Sequence, residues 1–278
     1  MKIFGLTLVK NEADIIEQSM TDALRWCDRI GVVDNGSTDG TYDIVQSLKE
    51  QYPDRFTLCG VHDVPFNNDL RRIPFNALRE NAEDGDWWCR LDADEFYPND
   101  PRSFLGNEVK SYEHVVWSIH LQYYYTDKDW QLWKEGKETL ADRKRPIQER
   151  RRYYRSDSAE ERFVRHRDGL VWDKECSWPY HIGPVAQKRI PVQHFFYRDP
   201  EQIKQRLKTR RQAYEEGHHR WKSNDPANWK EKIVDAAPLH YDNHDGNFVI
   251  EDELIPNHKE KLPRRIVKRI CHGLGIWA

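Results

Sequence analysis

Apolar positions in the first hundred residues come in short clusters separated by polar stretches. Lys2 to Val9 (KIFGLTLV) is mostly apolar and carries β-branched residues, the signature of a buried strand. Ile15, Ile16, Met20, Ala23, Leu24 and Cys27 then recur at helical spacing. Ile30 to Val33 is a second short apolar run, and it stops at the turn-rich Asp34-Asn35-Gly36-Ser37-Thr38-Asp39-Gly40-Thr41. Asp39 or Thr41 is placed to cap a second helix with Ile44, Val45 and Leu48 on its apolar face. Phe56 to Val61 predicts a third strand and Pro74 to Asn81 a helix. Trp87 to Leu91 predicts a fourth strand, running straight into Asp92-Ala93-Asp94-Glu95-Phe96. Alternating strand and helix predict an α/β domain with a Rossmann-like, mostly parallel central sheet flanked by helices. Ligands of such sheets bind at the carboxyl ends of the strands. The polar clusters Asn11-Glu12, Asp34 and Asp92 to Glu95 fall at three of those ends.

Beyond residue 110 the alternation weakens. His114 to Tyr125, Arg162 to Trp172 and Ile190 to Phe196 predict further strands. Pro200 to Trp221 predicts a highly charged helix with Asp199 and Pro200 at its start. A loop is expected over 222–229 and irregular chain over 236–260. Pro263 to Ile276 predicts a short basic amphipathic helix.

Composition narrows the function classes. Of 278 residues, 38% are hydrophobic and 33% charged, which implies a polar-surfaced soluble chain. A net charge of −3 gives no global attraction to nucleic acid or to an anionic membrane, and a nucleic-acid role is not expected. The basic residues are local, in Arg143 to Arg155 and Lys261 to Arg269. Five cysteines form no CxxC pair and no zinc spacing, which suits reduced thiols and a cytoplasmic setting. Met1 to Val9 is too short for a signal-peptide core, and no apolar run of about 18 residues predicts a membrane span.

Asp92-Ala93-Asp94 sets two carboxylates about one small residue at a strand end. In an extended segment both face one side, where they can share a hard divalent ion, Mg2+ or Mn2+, with substrate phosphates. The Asp34 to Thr41 loop lacks the Gly-Lys-Ser/Thr ending of a Walker phosphate loop.

Leu8-Val9-Lys10-Asn11-Glu12, Val32-Val33 with the following loop to Thr41, and Trp87 with Leu91 to Phe96 together resemble, in order and spacing, the family 2 glycosyltransferases of GT-A fold. The resemblance covers residues 1 to 100 well. It continues more weakly at Ile190 to Gln202, where bacterial members carry a His before an Arg-x-Pro-Glu-Gln helix start.

The resemblance implies a catalytic domain over 1–200, with a donor half of about 1–110, an acceptor half of about 111–200, and a helical C-terminal extension over 201–278. It implies that Asp34 reads the nucleotide base, usually uracil, and that Leu8, Lys10 and Glu12 line the same pocket. Arg71 or Arg72 would contact nucleotide or phosphate. Asp92 would lie near ribose and metal, Asp94 on the metal, with His194 as a further metal or diphosphate contact. The implied reaction is inverting transfer from a nucleoside diphosphate sugar, with polysaccharide biosynthesis as the setting.

An acceptor hydroxyl attacks the anomeric carbon while a carboxylate takes its proton. Asp173 and Glu175 are the first candidates for that base, with Asp157, Glu160 and Glu161 as alternatives; the family's usual Glu-Asp pair is absent. Trp172, Trp178 and Tyr180 are candidates to stack on a sugar. Arg143 to Arg155 is a candidate loop over the donor or contact for an anionic acceptor. The acceptor is a glycan or a lipid-linked sugar. The basic C-terminal segment, with Ile266, Ile270, Leu274, Ile276 and Trp277 among its charges, either packs on the domain or rests on the inner face of the membrane. A sugar nucleotidyltransferase would open with a Gly-rich basic loop where Lys10-Asn11-Glu12 stands. A relative that binds nucleotide or carbohydrate without catalysis is the alternative from another class.

Overall fold

The computed structural model describes residues 1–217, 225–255 and 259–277. Its first half follows the apolar pattern closely: β1 (Ile3–Val9), α1 (Ile16–Ala23), β2 (Arg29–Asp34), α2 (Thr41–Gln51), β3 (Phe56–Val61), α3 (Arg72–Leu78) and β4 (Trp87–Arg90). These strands pair in parallel in the order β3-β2-β1-β4. Every residue of β1 is buried, as a strand covered on both faces requires.

Side-chain alternation divides the sheet between two cores. Ile3, Ile30, Trp87 and Cys89 join Ile16, Met20, Val45 and Leu48 on one face. Phe4, Leu6 and Trp88 join Phe75 and Leu78 of α3 on the other. Gly31 lets α3 approach, because a Cβ there would lie 2.6 Å from Pro74 Cβ. The start of α2 departs from expectation. Gly40, at φ +90°, is the capping position, while Asp39 Oδ1 accepts from Thr41 N at 3.0 Å.

The second half is antiparallel in large part, so the sheet is mixed rather than mostly parallel. After β5 (Glu95–Phe96) and α4 (Pro101–Asn107), β6 (Val115–Tyr123) leads through α5 (Asp127–Lys134) and α6 (Ile147–Arg150) into β7 (Tyr153–Arg165). β7 inserts between β4 and β6, antiparallel to both. β8 (Ile190–His194) pairs parallel with β6 and antiparallel with β5. The strand expected over Arg162 to Trp172 is thus β7, shifted toward the N-terminus. Its polar residues hid it: Ser158, Glu160 and Arg162 all face a cleft.

Next come α7 (Pro200–Glu215), a 3-10 segment over Pro226–Lys232, β9 (His240–Tyr241) on β7, and α8 (Leu262–Gly273). The expected end of the α7 helix at 218–221, loop residues 222–224 and positions 256–258 lie outside the described residues. Among the described residues, no helix is long and apolar enough to cross a membrane. All five cysteines are free.

Candidate active site

The polar ends of β1, β2 and β4 converge as the apolar pattern predicts, but the second half of the chain supplies the groups that hold them. Val9, the end of β1, pairs with Asp34, and β4 lies on the other side of β1. Leu8, Lys10, Asn11, Glu12 and Asn35 therefore reach one side of a cleft of about 340 Å3, with Asp92, Ala93 and Asp94 beside them.

Ala93 and Asp94 form a turn, not an extended segment, so the two carboxylates have separate partners. Asp92 accepts from Arg71 through Oδ1 and from Arg162 Nη1 through Oδ2 at 2.9 Å. Burial would raise its pKa, but Arg71, Arg162 and Arg90 outweigh burial and hold the carboxyl well below the usual range. Asp94 Oδ2 lies 3.3 Å from His194 Nε2 and accepts from Arg206 Nη1 at 2.9 Å. Burial acts upward here too, and His194 and Arg206 hold the group below the usual range.

Backbone pairing fixes this geometry. Glu95 is in register with His194, and Phe195 N donates to Asp94 O at 2.9 Å. Asp94 and His194 thus sit on neighbouring positions of two main-chain-bonded segments. Arg206 also donates to Glu12 Oε1 at 3.1 Å, and Arg198 Nη2 to Glu12 Oε2 at 2.5 Å. Burial raises the Glu12 pKa against the pull of Arg198 and Arg206, with Asp94 adding to the rise.

Asp34 is fully buried. Its Oδ1 accepts from Ser37 N at 2.7 Å across a turn that Gly36 makes at φ +79°. Its Oδ2 is buried with no hydrogen-bond partner among the described residues. Arg71 lines the cleft and Arg72 does not.

The far wall comes from β6 and β7: His120, Gln122, Ser158, Glu160 and Arg162. The Glu160 side chain is 49% exposed, with Arg162 Nη2 at 3.6 Å and Arg90 Nη1 at 3.9 Å. Burial would raise its pKa, but Arg162 and Arg90 bring it below the ordinary value.

Several expected residues lie elsewhere. Asp173 and Glu175 are exposed and do not line this cleft; Glu175 N donates to Asp69 Oδ2 at 2.9 Å. Trp172 is buried among Phe75 and Trp88 and stacks on Trp178, so it is a core residue rather than an open sugar platform. Within the basic run, Arg150 and Arg151 are buried in ion pairs with Glu138, so this end of the run holds the fold together rather than forming a loop over the donor, while Lys144 and Arg145 are exposed.

Arg162, Arg206, Arg90 and His120 were not singled out in the sequence, and Arg198 stood there only as the Arg of the helix-start motif. The signal for α7 was present: Arg206, Thr209, Arg210 and Ala213 share one helical face, and all line the cleft.

The sequence pattern of glycosyl transferase family 2 matches residues 6–165. No curated protein matches the chain. Among solved structures it is similar to a mannosyltransferase from Pyrobaculum calidifontis in complex with GDP-Man and Mn2+, at 14% identity and TM-score 0.41, over 78% of this chain and 65% of that one. It is also similar to TarS of S. aureus, at 14% identity and TM-score 0.34 over 76% of this chain and 40% of that one. A third is GalNAc-T7 with UDP, GalNAc and Mn2+, at 12% identity and TM-score 0.39 over 71% and 44%. The chain spans 65% of the first and less than half of the other two. Matched over more than half its length by the family pattern, with the matched region carrying the cleft's Asp92 and Asp94, this chain belongs to glycosyl transferase family 2.

Proposed function

We propose that this chain is an inverting glycosyltransferase of the GT-A type. It would use a uridine-linked sugar diphosphate and a divalent metal, Mn2+ or Mg2+, and transfer the sugar to a hydroxyl of a glycan or lipid-linked acceptor. The observation that carries this reading is the Asp94–His194 pair, 3.3 Å apart on the wall of a cleft that five arginines also line.

The donor set fits such an ion. A carboxylate oxygen and an imidazole nitrogen lie side by side, and no third His, Cys, Asp or Glu completes a closed cage among the described residues. Mn2+ would accept this mixed carboxylate–imidazole pair, whereas Mg2+ would rely on the Asp94 carboxylate and on oxygens of the donor. When bound, the ion would neutralise charge on the departing diphosphate.

The chain's own residues do the rest in this reading. Asp34 is fully buried behind the cleft wall and does not line it, so a contact of Asp34 Oδ2 with the base would need the wall to open, and Asn35, which does line the cleft, is the nearer polar group for the base. Arg71 and Arg162 hold Asp92, while Arg206 holds Asp94 and Glu12, so the acidic wall is oriented before the donor arrives. Gln122 and Ser158 offer polar groups to the acceptor on the opposite wall.

Glu160, exposed on that wall, is the proposed base in place of Asp173 and Glu175. The acceptor oxygen forms its bond to the anomeric carbon as the carbon–oxygen bond to the diphosphate breaks, and the hydroxyl proton passes to the Glu160 carboxylate.

The test is calorimetric titration of UDP with and without Mn2+, on the native chain and on Asp94→Ala. Metal-dependent binding that Asp94→Ala abolishes supports the donor site, and a panel of UDP-sugars then identifies the donor. No binding of UDP, GDP or dTDP under either condition would sink the reading in favour of a non-catalytic relative.

A further inference from the structure

We infer that α8 is a membrane-surface anchor, which seats the protein on an anionic lipid bilayer through an outward-facing aliphatic stripe. This goes beyond the donor reading and does not depend on it. An ordinary amphipathic helix turns its apolar face to the protein. In α8 the arrangement is reversed. Leu262, Ile266, Val267, Ile270 and Leu274 all fall on one side at helical spacing, and they are 68%, 46%, 54%, 52% and 70% exposed. Ile276, just beyond, is 65% exposed.

The polar side holds the helix to the body. Arg265 reaches Glu113 at 3.3 Å, and Lys268 donates to Gly183 O at 2.8 Å and pairs with Glu260. Arg269 lies 4.0 Å over the Tyr112 ring. Trp277 stacks on His181 and accepts from Arg167 through its carbonyl at 2.9 Å, fixing the segment that follows. The helix is therefore tethered by polar contacts while its largest aliphatic side chains meet water.

Charge selects the occupant. Between Lys259 and Arg269 there are six basic residues and one acid, in a chain whose net charge is −3. Residues 261–277 contain no Asp or Glu. A second copy packing its own α8 on this stripe would bring like charges together around a two-fold axis, with no carboxylate on either helix to offset them. A surface of anionic headgroups over acyl chains matches both features: cations at the headgroup level, aliphatic side chains below. Arg264, its side chain 74% exposed, flanks the stripe and supplies such a cation.

The experiment is co-sedimentation of the full chain with vesicles of phosphatidylcholine alone and of phosphatidylcholine mixed with phosphatidylglycerol, at rising salt. The expected result is binding to the mixed vesicles that weakens as salt screens the charges. Ile266→Gln/Ile270→Gln should lower partitioning about tenfold or more. Arg264→Gln should lower it about fivefold, and only on the anionic vesicles. These side chains face solvent, so thermal melting monitored by circular dichroism should be unchanged in both variants. The proposal is overturned if the native chain does not sediment with phosphatidylglycerol vesicles. It is also overturned if both variants bind as well as the native chain does, or if the native chain is a dimer that Ile266→Gln/Ile270→Gln dissociates.

Discussion

Arg198 and Asp199 are neighbours in sequence, yet each belongs to a different cluster of buried ion pairs. Arg198 joins Glu12 and Asp14 at the cleft, with Arg206 and Asp94 beside it. Asp199 joins Arg143 and Arg150 on the other side of the corner, where Arg151 lies between Asp129 and Glu138. The chemistry is the same, and the satisfaction differs. In the cleft, buried nitrogens of Arg71, Arg162, Arg206 and His194 lack a hydrogen-bond partner among the described residues. In the sealed cluster every guanidinium nitrogen of Arg151 is bonded, and Arg150 Nη2 is the one ion-pair atom without a hydrogen bond. A closed network that satisfies itself holds the chain together. An open network beside a cleft leaves polar groups unpaired, the arrangement expected of a binding wall under the proposed function.

That contrast can be broken from either side. The largest effect is expected from Asp94→Ala, which should lower sugar transfer about 10³-fold or more per folded molecule; it also strips Arg206 of a buried carboxylate, so a lower thermal midpoint is expected beside the lost activity, as initial rates and calorimetry would show. Arg151→Met should act on stability alone. Leaving Glu138 and Asp129 without their guanidinium should cost about 3–5 kcal/mol in denaturant unfolding, while activity per folded molecule persists. Glu160→Gln should lower kcat about 10²-fold with UDP affinity intact, and equal rates for variant and native chain would remove Glu160 as the base.

The smallest effect is acid stability at Asp199. Burial would raise its pKa, but Arg143 outweighs it and holds the carboxyl below its ordinary 3.8. A depressed folded pKa gives stability that is present above the unfolded value and is lost as pH falls below it. The slope for this one proton is at most about 1.4 kcal/mol per pH unit. Asp199→Asn retains a helix-capping oxygen and should flatten that slope in acid denaturation below pH 3.8.

The first half of the fold was legible because β1, β2 and β4 are almost wholly buried on both faces and read as apolar runs. The polar breaks after Val9, Val33 and Leu91 then marked the cleft. β7 was not legible over its full length, because its cleft face carries Ser158, Glu160 and Arg162 where a strand pattern needs apolar residues. The same reason hid the partners of Asp92 and Asp94. Arg162 and Arg206 sit in charge-rich segments that resemble solvated surface, and only tertiary contact distinguishes a buried arginine from an exposed one. The sealed cluster was misread as a basic flap on the same ground.

The union of β5 with β8 has a consequence for how the molecule is made. Glu95 and His194 are paired across nearly one hundred intervening residues, whereas β1, β2, β3 and β4 find one another within the first ninety. Closing so long a loop carries a large entropic cost before any contact rewards it. During synthesis the parallel sheet can form while the ribosome is still extending the chain, but the Asp94–His194 pair must wait for β8 to emerge. An ion held at this pair, as proposed above, would therefore be gained only after β8 has joined β5, and gain of metal affinity in a refolding experiment would time that step.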